Sequence, residues 1–247
     1  MQEAYYVGSY WGPRQETALE CARRAESFLS MLARCESSFA QWYRAGRGSP
    51  RELPGHPVLP ESKTLEKLFL GSRSRGAVGK TAADDSGFSR ILWNAKRDAT
   101  DLHLTCGGSS PWGPPNACWL DPPWEGEVRK RLLQAPVLAR ILTTMATTWD
   151  PDYGIASSTE MVDLVKQRKW EVRVGWLTYL SRRLGTLPPL PAPVRIEPVG
   201  TSGWLLVLSS EPMTAHDPEH VALTRRVREL LDRAGLIAVA RPEPTDG

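Results

Sequence analysis

The sequence predicts a single α+β domain in which a mainly antiparallel sheet packs with three principal helices and long loops. Two observations support this prediction. Short runs of aromatic and β-branched residues are separated by segments with helical spacing of apolar residues, and neighbouring strand pairs outnumber strand–helix–strand units. In addition, the 247 residues are 41% hydrophobic and 24% charged, which suits one globular domain over residues 1–247.

The first predicted strand is Tyr5–Trp11, which is aromatic and β-branched and ends at the turn Gly12-Pro13. Two later runs, Phe88–Asn94 and Leu102–Cys106, are predicted to form a hairpin. A proline-rich piece, Leu187–Pro193, predicts a stiff, extended linker. The other predicted strands are Phe39–Tyr43, Tyr153–Ala156, Val172–Leu180, Val194–Val199, Trp204–Leu208 and Leu236–Ala240.

Three long helices are predicted from apolar residues that recur every three or four positions. The first covers Arg14–Arg34 and the second covers Leu132–Thr148. The third begins after Asp217, a helix N-cap followed by Pro218, and ends at Gly235. The apolar stripe of the first helix comprises Ala18, Ala22, Ala25, Leu29 and Leu32.

Two shorter features complete the predicted elements. Ser157 and Glu160 have the spacing of a capping box, which would begin a short helix that extends to Val165. The segment 45–86 is dominated by Gly, Pro, Ser and Arg and contains one periodic piece, Leu65–Leu70. This composition predicts a flexible, exposed, loop-rich segment with one short helix.

Composition limits the surroundings and the partners of the chain. There is no run of about 18 apolar residues and no secretory leader, and the four cysteines contain no C-x-x-C pair. These features predict a cytoplasmic protein without membrane contact, structural zinc or a disulfide framework. The formal net charge of +3 argues neither for nor against a nucleic-acid partner.

The most suggestive chemical motif is Gly76-Ala-Val-Gly-Lys-Thr81. A phosphate loop needs a glycine where this chain has Ser74, and it needs a strand before the loop and a helix after it. Neither context fits, so a flexible basic loop is the simpler interpretation. The alternative is a nucleotide-binding enzyme that uses this loop together with the carboxylates of Asp84 and Asp85.

Other candidate catalytic or metal-binding groups are isolated along the sequence. His216 and His220 have the four-residue spacing of a zinc-binding helix, but the usual general base is missing and His216 precedes the expected N-cap. His56 and His103 have no local catalytic signature, and no serine lies in a nucleophile elbow. The sequence therefore predicts no catalytic site, metal or cofactor, and it favours a binding protein.

The strongest physical signal is the stretch 109–125, where three tryptophans lie among five prolines. Prolines stiffen a loop and tryptophan gives a large apolar contact, so this stretch suits a preformed protein-binding surface with acidic rims. The alternative is that the tryptophans cover the domain's own core under a long loop. The tryptophans are Trp112, Trp119 and Trp124, and the rims would be Asp121, Glu125 and Glu127.

Five short strings occur in order along most of the chain. They are Tyr5-Tyr-Val-Gly-Ser-Tyr-Trp-Gly-Pro-Arg14 with Glu16, Phe39-x-x-Trp42, Trp93-Asn94, Gly175-Trp-Leu-Thr-Tyr-Leu-Ser181 and Pro218-Glu-His-Val221. Together they resemble the immunity protein 52 family of bacterial polymorphic-toxin systems. The resemblance implies an α+β fold, no enzymatic activity, and a protein that neutralises a cognate toxin inside the producing cell. It also implies that this toxin is a nuclease of the restriction-endonuclease-like type, often delivered by type VI secretion.

The resemblance and the tryptophan-rich stretch together predict a one-to-one complex with a nuclease toxin, without direct contact to nucleic acid. The predicted toxin-binding residues are Trp112, Trp119, Asp121, Trp124, Glu125, Glu127, Asp150, Asp152 and Tyr153. Residues of the family strings are instead expected to define the fold. They are Tyr10, Trp11, Gly12, Arg14, Trp42, Trp93, Asn94, Gly175, Trp176 and Tyr179.

Two questions stay open at the level of sequence. An inhibitor that covers a basic nuclease groove would gain from an acidic face, whereas the net charge here is +3. Either the acidic residues cluster locally, or the chain inhibits without imitating nucleic acid. A secretion chaperone or adaptor is a further functional class, which would bind a partner without protecting cells from active toxin.

Overall fold

The computed structural model of the chain describes residues 2–44, 56–71, 85, 87–94, 98–112, 115–169 and 171–238. The motif at Gly76–Thr81 and the carboxylate of Asp84 lie outside the described residues. The strands are β1 (Tyr5–Trp11), β2 (Trp42–Arg44), β3 (His56–Val58), β4 (Phe88–Trp93), β5 (Asp101–Cys106), β6 (Asn116–Asp121), β7 (Tyr153–Ser158), β8 (Leu177–Ser181), β9 (Arg195–Val199) and β10 (Gly203–Val207). The α-helices are α1 (Ala18–Leu32), α2 (Ser62–Leu70), α3 (Glu127–Leu132), α4 (Ala135–Trp149), α5 (Thr159–Val165) and α6 (Pro218–Arg233).

All ten strands join one antiparallel sheet, so the predicted α+β fold is confirmed. The strand order is β3-β2-β4-β5-β6-β1-β7-β8-β10-β9. The predicted hairpin is present as β4 and β5. β1 lies in the middle of the sheet, where Val7 is opposite Leu120 of β6 and Tyr10 is opposite Tyr153 of β7. The two edge strands contain Pro57 and Pro198, which lack a backbone N–H and so make each edge a poor template for another strand.

The first face of the sheet is covered by α1 and α4. Alternate residues of β1 point towards these helices, and Trp11 stacks on Trp149 of α4 with ring centroids 5.5 Å apart. Phe28 of α1 reaches the same Trp149 ring at 6.0 Å. A Cβ atom on Gly154 would lie 3.0 Å from Leu142 Cδ2, so glycine lets α4 approach β7 closely.

The predicted first helix is confirmed, with narrower limits. Thr17 is the N-cap of α1, and its hydroxyl accepts the backbone N–H of Glu20 while the Glu20 carboxylate accepts the backbone N–H of Thr17. This capping box satisfies two N–H groups and begins the helix at Ala18 instead of Arg14. The whole predicted stripe is buried: Ala18, Ala22, Ala25, Leu29 and Leu32.

Among the residues that the structure describes, those over the second face cover only part of its width. Residues 171–176 cross it above β7, where a Cβ on Gly175 would lie 2.5 Å from the Ser157 Cβ. Val227 and Leu231 of α6 join the same buried cluster as Val172. We call the uncovered part, over β4, β5, β6, β1 and the start of β7, the open face. Its partly or fully exposed side chains are Tyr6, Tyr10, Ser89, Ile91, Asp101, His103, Thr105, Trp119, Asp121 and Tyr153.

The segment 45–86 was predicted to be an exposed loop with one short helix; within residues 56–71 the structure adds the strand β3 and buries one side of the helix. The short helix exists, but it begins at Ser62, and Leu65 and Phe69 are fully buried. α2 packs along α1, and Phe69 lies 6.0 Å from the Phe88 ring. These two apolar side chains are enough to fix the helix on the core, although the surrounding composition is polar.

The stretch 109–125 was predicted as a loop, and this is wrong at its centre. Asn116–Asp121 is β6, an interior strand between β5 and β1. The prolines lie on either side of these six residues, so no ladder hydrogen bond is lost. Trp119 is therefore a strand residue, whereas Trp112 and Trp124 are in the connections that precede and follow β6.

Several other boundaries differ from the prediction. The strand expected from Val172 begins at Leu177, and residues 236–238 contain no strand, while 239–240 lie outside the described residues. Ser158 is the N-cap of α5 instead of Ser157, and Glu160 accepts the backbone N–H of Ala4 instead of closing a capping box. The second long helix, predicted over Leu132–Thr148, is α4, which begins at Ala135, and the short helix α3 precedes it.

The remaining helix signals are confirmed. Asp217 caps α6 through a hydrogen bond of 2.8 Å from the Glu219 N–H, Pro218 is the first helical residue, and Gly235 follows the end with φ +77°. Among the described residues, no helix is long and apolar enough to cross a membrane.

Trp176→Ala is expected to lower the free energy of unfolding by about 3–5 kcal/mol, since it empties a large buried site. Trp176 is 1% exposed, donates from Nε1 to the Ser209 carbonyl at 2.8 Å, and meets the Tyr5 ring at its edge. Urea unfolding measures the change. The matched control is Trp112→Ala, because Trp112 is 64% exposed, and its effect should stay within about 0.5 kcal/mol. Equal effects of the two variants would contradict this account of the core.

Candidate functional site

The open face presents a row of residues across three neighbouring strands. Gly8 lies opposite Trp119, and Trp119 lies opposite His103, so β1, β6 and β5 each contribute one position. A Cβ on Gly8 would be 2.8 Å from the Trp119 Cβ and 3.1 Å from the Tyr10 hydroxyl oxygen. The absence of a side chain at Gly8 therefore gives the Trp119 side chain its room on the sheet.

His103, Trp119 and Asp121 form a fixed group on this face. The His103 and Trp119 rings are stacked, with centroids 4.4 Å apart and an interplanar angle of 9°. Asp121 Oδ2 accepts the Trp119 Nε1–H at 3.2 Å and lies 3.2 Å from His103 Nε2. Since the Asp121 side chain is still 46% exposed, the group offers a partner a positioned aromatic surface and a negative charge.

Three tyrosines and Arg173 form a second group beside the first. Tyr10 and Tyr153 are stacked at 5.1 Å, and the Arg173 guanidinium carbon lies 5.7 Å from the centroid of the Tyr10 ring. Burial raises the pKa of the Tyr6 and Tyr10 hydroxyls, and the charge of Arg173 opposes only part of that rise. Burial of Arg173 acts to lower its pKa, but the neighbouring tyrosine oxygens raise the pKa overall. The tyrosines are therefore neutral and Arg173 is charged at physiological pH.

A buried ion pair positions the segment that carries Arg173. Arg228 of α6 donates from Nε to Glu171 Oε1 at 3.0 Å and through a second nitrogen to Oε2 at 2.6 Å, and both side chains are 2% exposed. The backbone N–H groups of Gln167 and Arg168 also donate to the Glu171 carboxylate. Burial would raise the pKa of Glu171, but these hydrogen bonds and the charge of Arg228 outweigh it and lower the pKa.

The predicted toxin-binding residues fall into four places, of which the last, the α4–β7 turn, carries Asp150 and Asp152. Trp119, Asp121 and Tyr153 lie together on the open face, as described above. Trp112 precedes β6, whereas Trp124, Glu125 and Glu127 follow it, so a strand about 17 Å long separates the two sets. Trp112 and Trp124 are 64% and 56% exposed, so neither caps the core. Glu127 pairs with Lys130 at 2.6 Å, which offsets its charge.

Asp150 and Asp152 have local structural partners. Asp150 has φ +48° at the C-cap of α4, and Asp150 Oδ1 accepts a 2.7 Å hydrogen bond from Arg183. The same guanidinium lies 3.3 Å from Asp152 Oδ1, and Asp152 Oδ2 accepts the Gly12 N–H at 2.9 Å. These contacts tie the α4–β7 turn to β1 and β8, and Arg183 compensates the two negative charges in part.

The residues of the family strings have mostly structural positions. Asn94 donates to the Ser38 carbonyl at 3.0 Å and accepts the Thr100 N–H at 2.7 Å, so it fixes the β4–β5 connection. Arg14 donates to the Trp149 carbonyl at 2.9 Å. Buried members are Trp11, Trp42, Trp93, Gly175, Trp176 and Tyr179, whereas Gly12 is exposed and lies in the loop after β1.

Tyr10 differs from the other family-string residues, because its ring lies on the open face beside Tyr153 and Arg173. Sequence reasoning assigned it to the fold alone. It also left out Tyr6, Ile91 and Arg173, and gave His103 no role. Strand alternation could have identified the strand residues among them. Tyr6 and Tyr10 are four positions apart and so share one face of β1, and His103 of β5 is directly paired with Ile91 of β4. Arg173 lies outside any strand, so no periodic signal identifies it.

The histidines considered as metal ligands have other neighbours. His220 Nδ1 accepts the Thr214 N–H at 3.1 Å, and its Nε2 lies 3.7 Å from Asp217. His216 precedes α6, as predicted, and its Nε2 lies 3.8 Å from Glu3 Oε1. Among the residues that the structure describes, no group of three or more His, Cys, Asp or Glu is arranged to hold a metal ion.

An exposed face of a rigid sheet that carries tyrosine, tryptophan and arginine is typical of proteins that bind other proteins. The sequence matches the family described as Immunity protein 52 over residues 3–240, nearly the whole chain. The chain therefore belongs to the immunity protein 52 family.

A solved structure shares this fold. It is described as "Pseudomonas aeruginosa T6SS protein PA0821", with a TM-score of 0.54 and 13% sequence identity, and the match covers 94% of this chain and 75% of that chain. No curated protein matches this sequence. At this identity, the structural likeness shows the arrangement of helices and strands and nothing about shared contacts.

Glu171→Gln is expected to destabilise the protein by about 3–5 kcal/mol at pH 7, since the buried Arg228 loses its closest counter-charge and keeps only the more distant carboxylate of Asp232, at 3.5 Å. Because the folded pKa of Glu171 is lowered, its contribution is present above the unfolded pKa and is lost as pH falls through the folded pKa. The variant should therefore lose less stability than the parent between about pH 5 and pH 3. Urea midpoints across this range measure the difference.

The control for this variant is Glu229→Gln. Glu229 lies on α6, the helix that carries Arg228, its side chain is 45% exposed, and its Oε2 lies 3.8 Å from a guanidinium nitrogen of Arg233. Its effect should stay within about 0.5 kcal/mol at every pH. If the free energy of unfolding of Glu171→Gln falls as steeply with decreasing pH as that of the parent, the buried pair contributes no pH dependence.

Proposed function

We propose that the chain is an immunity protein that binds and neutralises a cognate nuclease toxin in the cytoplasm of the producing bacterium. Membership of the immunity protein 52 family supports neutralisation of a toxin and a role without catalysis. The solved structure of similar fold is that of a T6SS protein, and this likeness supports delivery of the toxin by type VI secretion. The proposed complex contains one copy of each protein.

The open face is the proposed toxin-binding surface, and its side-chain chemistry is the observation that carries the proposal. Tyrosine, tryptophan and arginine are the residues that contribute most binding energy in protein interfaces, and all three meet within this one face. The rings of Tyr10 and Trp119 are already held by stacking on Tyr153 and His103. Little side-chain entropy is therefore lost when a partner binds.

Part of the apolar surface on this face is exposed to water and becomes buried only when a partner binds. Ile91 is 55% exposed on an interior strand, directly beside His103. Its burial against a partner would be favourable in the way that core burial is. Trp124 lies outside the open face, just after the end of β6. It would enlarge the contact area at the rim of the open face. The Arg129 guanidinium carbon lies 6.0 Å from the centroid of the Trp124 ring.

The charges favour inhibition without imitation of nucleic acid. Of the acidic residues predicted to bind toxin, Glu127 pairs with Lys130, and Asp150 and Asp152 share Arg183. The open face itself combines the carboxylates of Asp101 and Asp121, which lie opposite each other on β5 and β6, with the guanidinium of Arg173. In this proposal the toxin is recognised mainly by aromatic contact, while Asp121 orients a basic group of the partner.

Ile91→Asp should weaken the complex by at least about tenfold, because it places a charge in the apolar part of the proposed interface. The measurement is titration calorimetry with the cognate toxin, carrying a substituted catalytic residue. Ile196→Asp is the matched control, since Ile196 is 43% exposed on the edge strand β9, and it should bind normally.

A matching survival assay with active toxin separates an immunity protein from an adaptor, because an adaptor binds without protecting cells.

Trp124→Ala should weaken toxin binding by up to about 2 kcal/mol with little change in melting temperature, because the side chain is 56% exposed. Melting and affinity are measured on the same preparation. Early melting together with normal affinity would assign Trp124 to the fold and exclude it from the interface.

A further inference from the structure

A groove with a volume of about 670 Å³ lies between the end of α1, the start of α4 and the strands β9 and β10. It is on the first face of the sheet, so it is separate from the open face. Its apolar lining includes the buried Cys35, Ala135 and Val207 and the half-buried Ala139. Its volume is in the range of sites that hold a bound group, and apolar walls of this kind favour an apolar side chain.

Exposed charges around this groove are mostly positive. Arg34, Arg140 and Arg195 line it, against one carboxylate, Glu197. Arg140 donates to the Cys35 carbonyl at 3.1 Å, which leaves its charge uncompensated, and Arg195 lies 3.9 Å from Glu197. Within the part of the chain that the structure describes, no carboxylate forms an ion pair with Arg34 or Arg140.

The nearest acidic residue in sequence cannot neutralise the groove. Glu36 follows Cys35 directly, but its carboxylate accepts Arg131 Nε at 2.8 Å and the Ser38 N–H at 2.6 Å. These hydrogen bonds outweigh the effect of burial and lower the pKa of Glu36, so the group is held in its own ion pair. The groove is therefore a local source of the positive charge of the chain.

We propose that this groove binds an extended acidic segment of a partner protein, with one apolar side chain of that segment on the lining and its carboxylates on the arginines. Guanidinium groups pair with carboxylates through two parallel hydrogen bonds, which suits three arginines around an apolar lining. Pro198 removes one N–H from the edge of β9, so the segment is held through its side chains and not by addition of a strand.

Binding in the groove is independent of the proposed function, because the groove and the open face lie on opposite faces of the sheet. A partner in the groove leaves Trp119 and Tyr10 accessible. The chain can therefore hold a toxin on one face and an acidic segment on the other.

Fluorescence anisotropy with a labelled synthetic peptide of alternating Glu-Glu-Leu sequence tests the proposal. The parent protein should bind it, and Arg140→Glu should weaken binding by about tenfold or more, since one contact is replaced by a repulsion. Arg226→Glu is the control for net charge, because Arg226 is exposed on α6, and it should bind like the parent. Equal weakening by both variants would overturn the proposal, because it would show attraction to overall charge alone.

A second variant tests the apolar lining without changing any charge. Ala139→Trp fills the groove and should weaken the peptide by a similar factor, while Ala222→Trp on the exposed face of α6 should not. Melting temperatures confirm that all four variants are folded. Normal binding by Ala139→Trp, or displacement of the peptide by millimolar inorganic phosphate alone, would overturn the assignment of the groove to an acidic protein segment.

Discussion

The buried ion pair between Glu171 and Arg228 determines how much of the sheet is covered. It ties residues 171–176 to α6, and this segment then lies across β7 with Gly175 against Ser157. Burying two charges is unfavourable unless their hydrogen bonds are satisfied, and here the carboxylate also accepts two backbone N–H groups. The cover ends where Arg173 meets the tyrosines, so the ion pair sets the border of the open face.

The sheet has one face buried and the other only partly buried. This arrangement provides both a stable core and an accessible surface. The helices α1 and α4 supply the stable core, with Trp11 and Trp149 stacked between layers. The open face then carries partly exposed aromatic side chains that are supported by contacts within the sheet. The absence of a side chain at Gly8 leaves room on this face for the Trp119 side chain. Asp121 contacts both Trp119 Nε1 and His103 Nε2 and so fixes the two rings. Rigid support of exposed rings is what a tight protein interface needs.

Local pattern was sufficient for much of the fold. The aromatic and β-branched run Tyr5–Trp11, the apolar stripe of α1 and the cap at Asp217 each predicted the correct element. Strand β6 was missed because the prolines at 111, 114, 115, 122 and 123 dominate the composition, although they leave the run 116–121 free of proline. A proline-free run of strand length between prolines is the signal that identifies such a strand.

The candidate site was harder to predict because it depends on contacts between distant residues. Alternation shows that Tyr6 and Tyr10 share a face, but it does not show which face α1 and α4 cover. The acidic pair Asp150 and Asp152 looked available in the sequence, since its partner Arg183 is about 30 residues away and follows β8. Arg173 belongs to the site through an ion pair between its neighbour Glu171 and a helix near the end of the chain.

Hydroxyl-radical footprinting of the complex with inactivated toxin tests most directly whether the open face is the surface that holds the toxin. Modification of Trp119, Tyr10 and Ile91 should fall several-fold on binding, because these side chains become shielded from solvent. Trp204 on β10, at the opposite end of the sheet, should be modified at the same rate in the free and bound protein. Unchanged modification of Trp119 and Tyr10 in a complex that forms and protects cells would contradict the account.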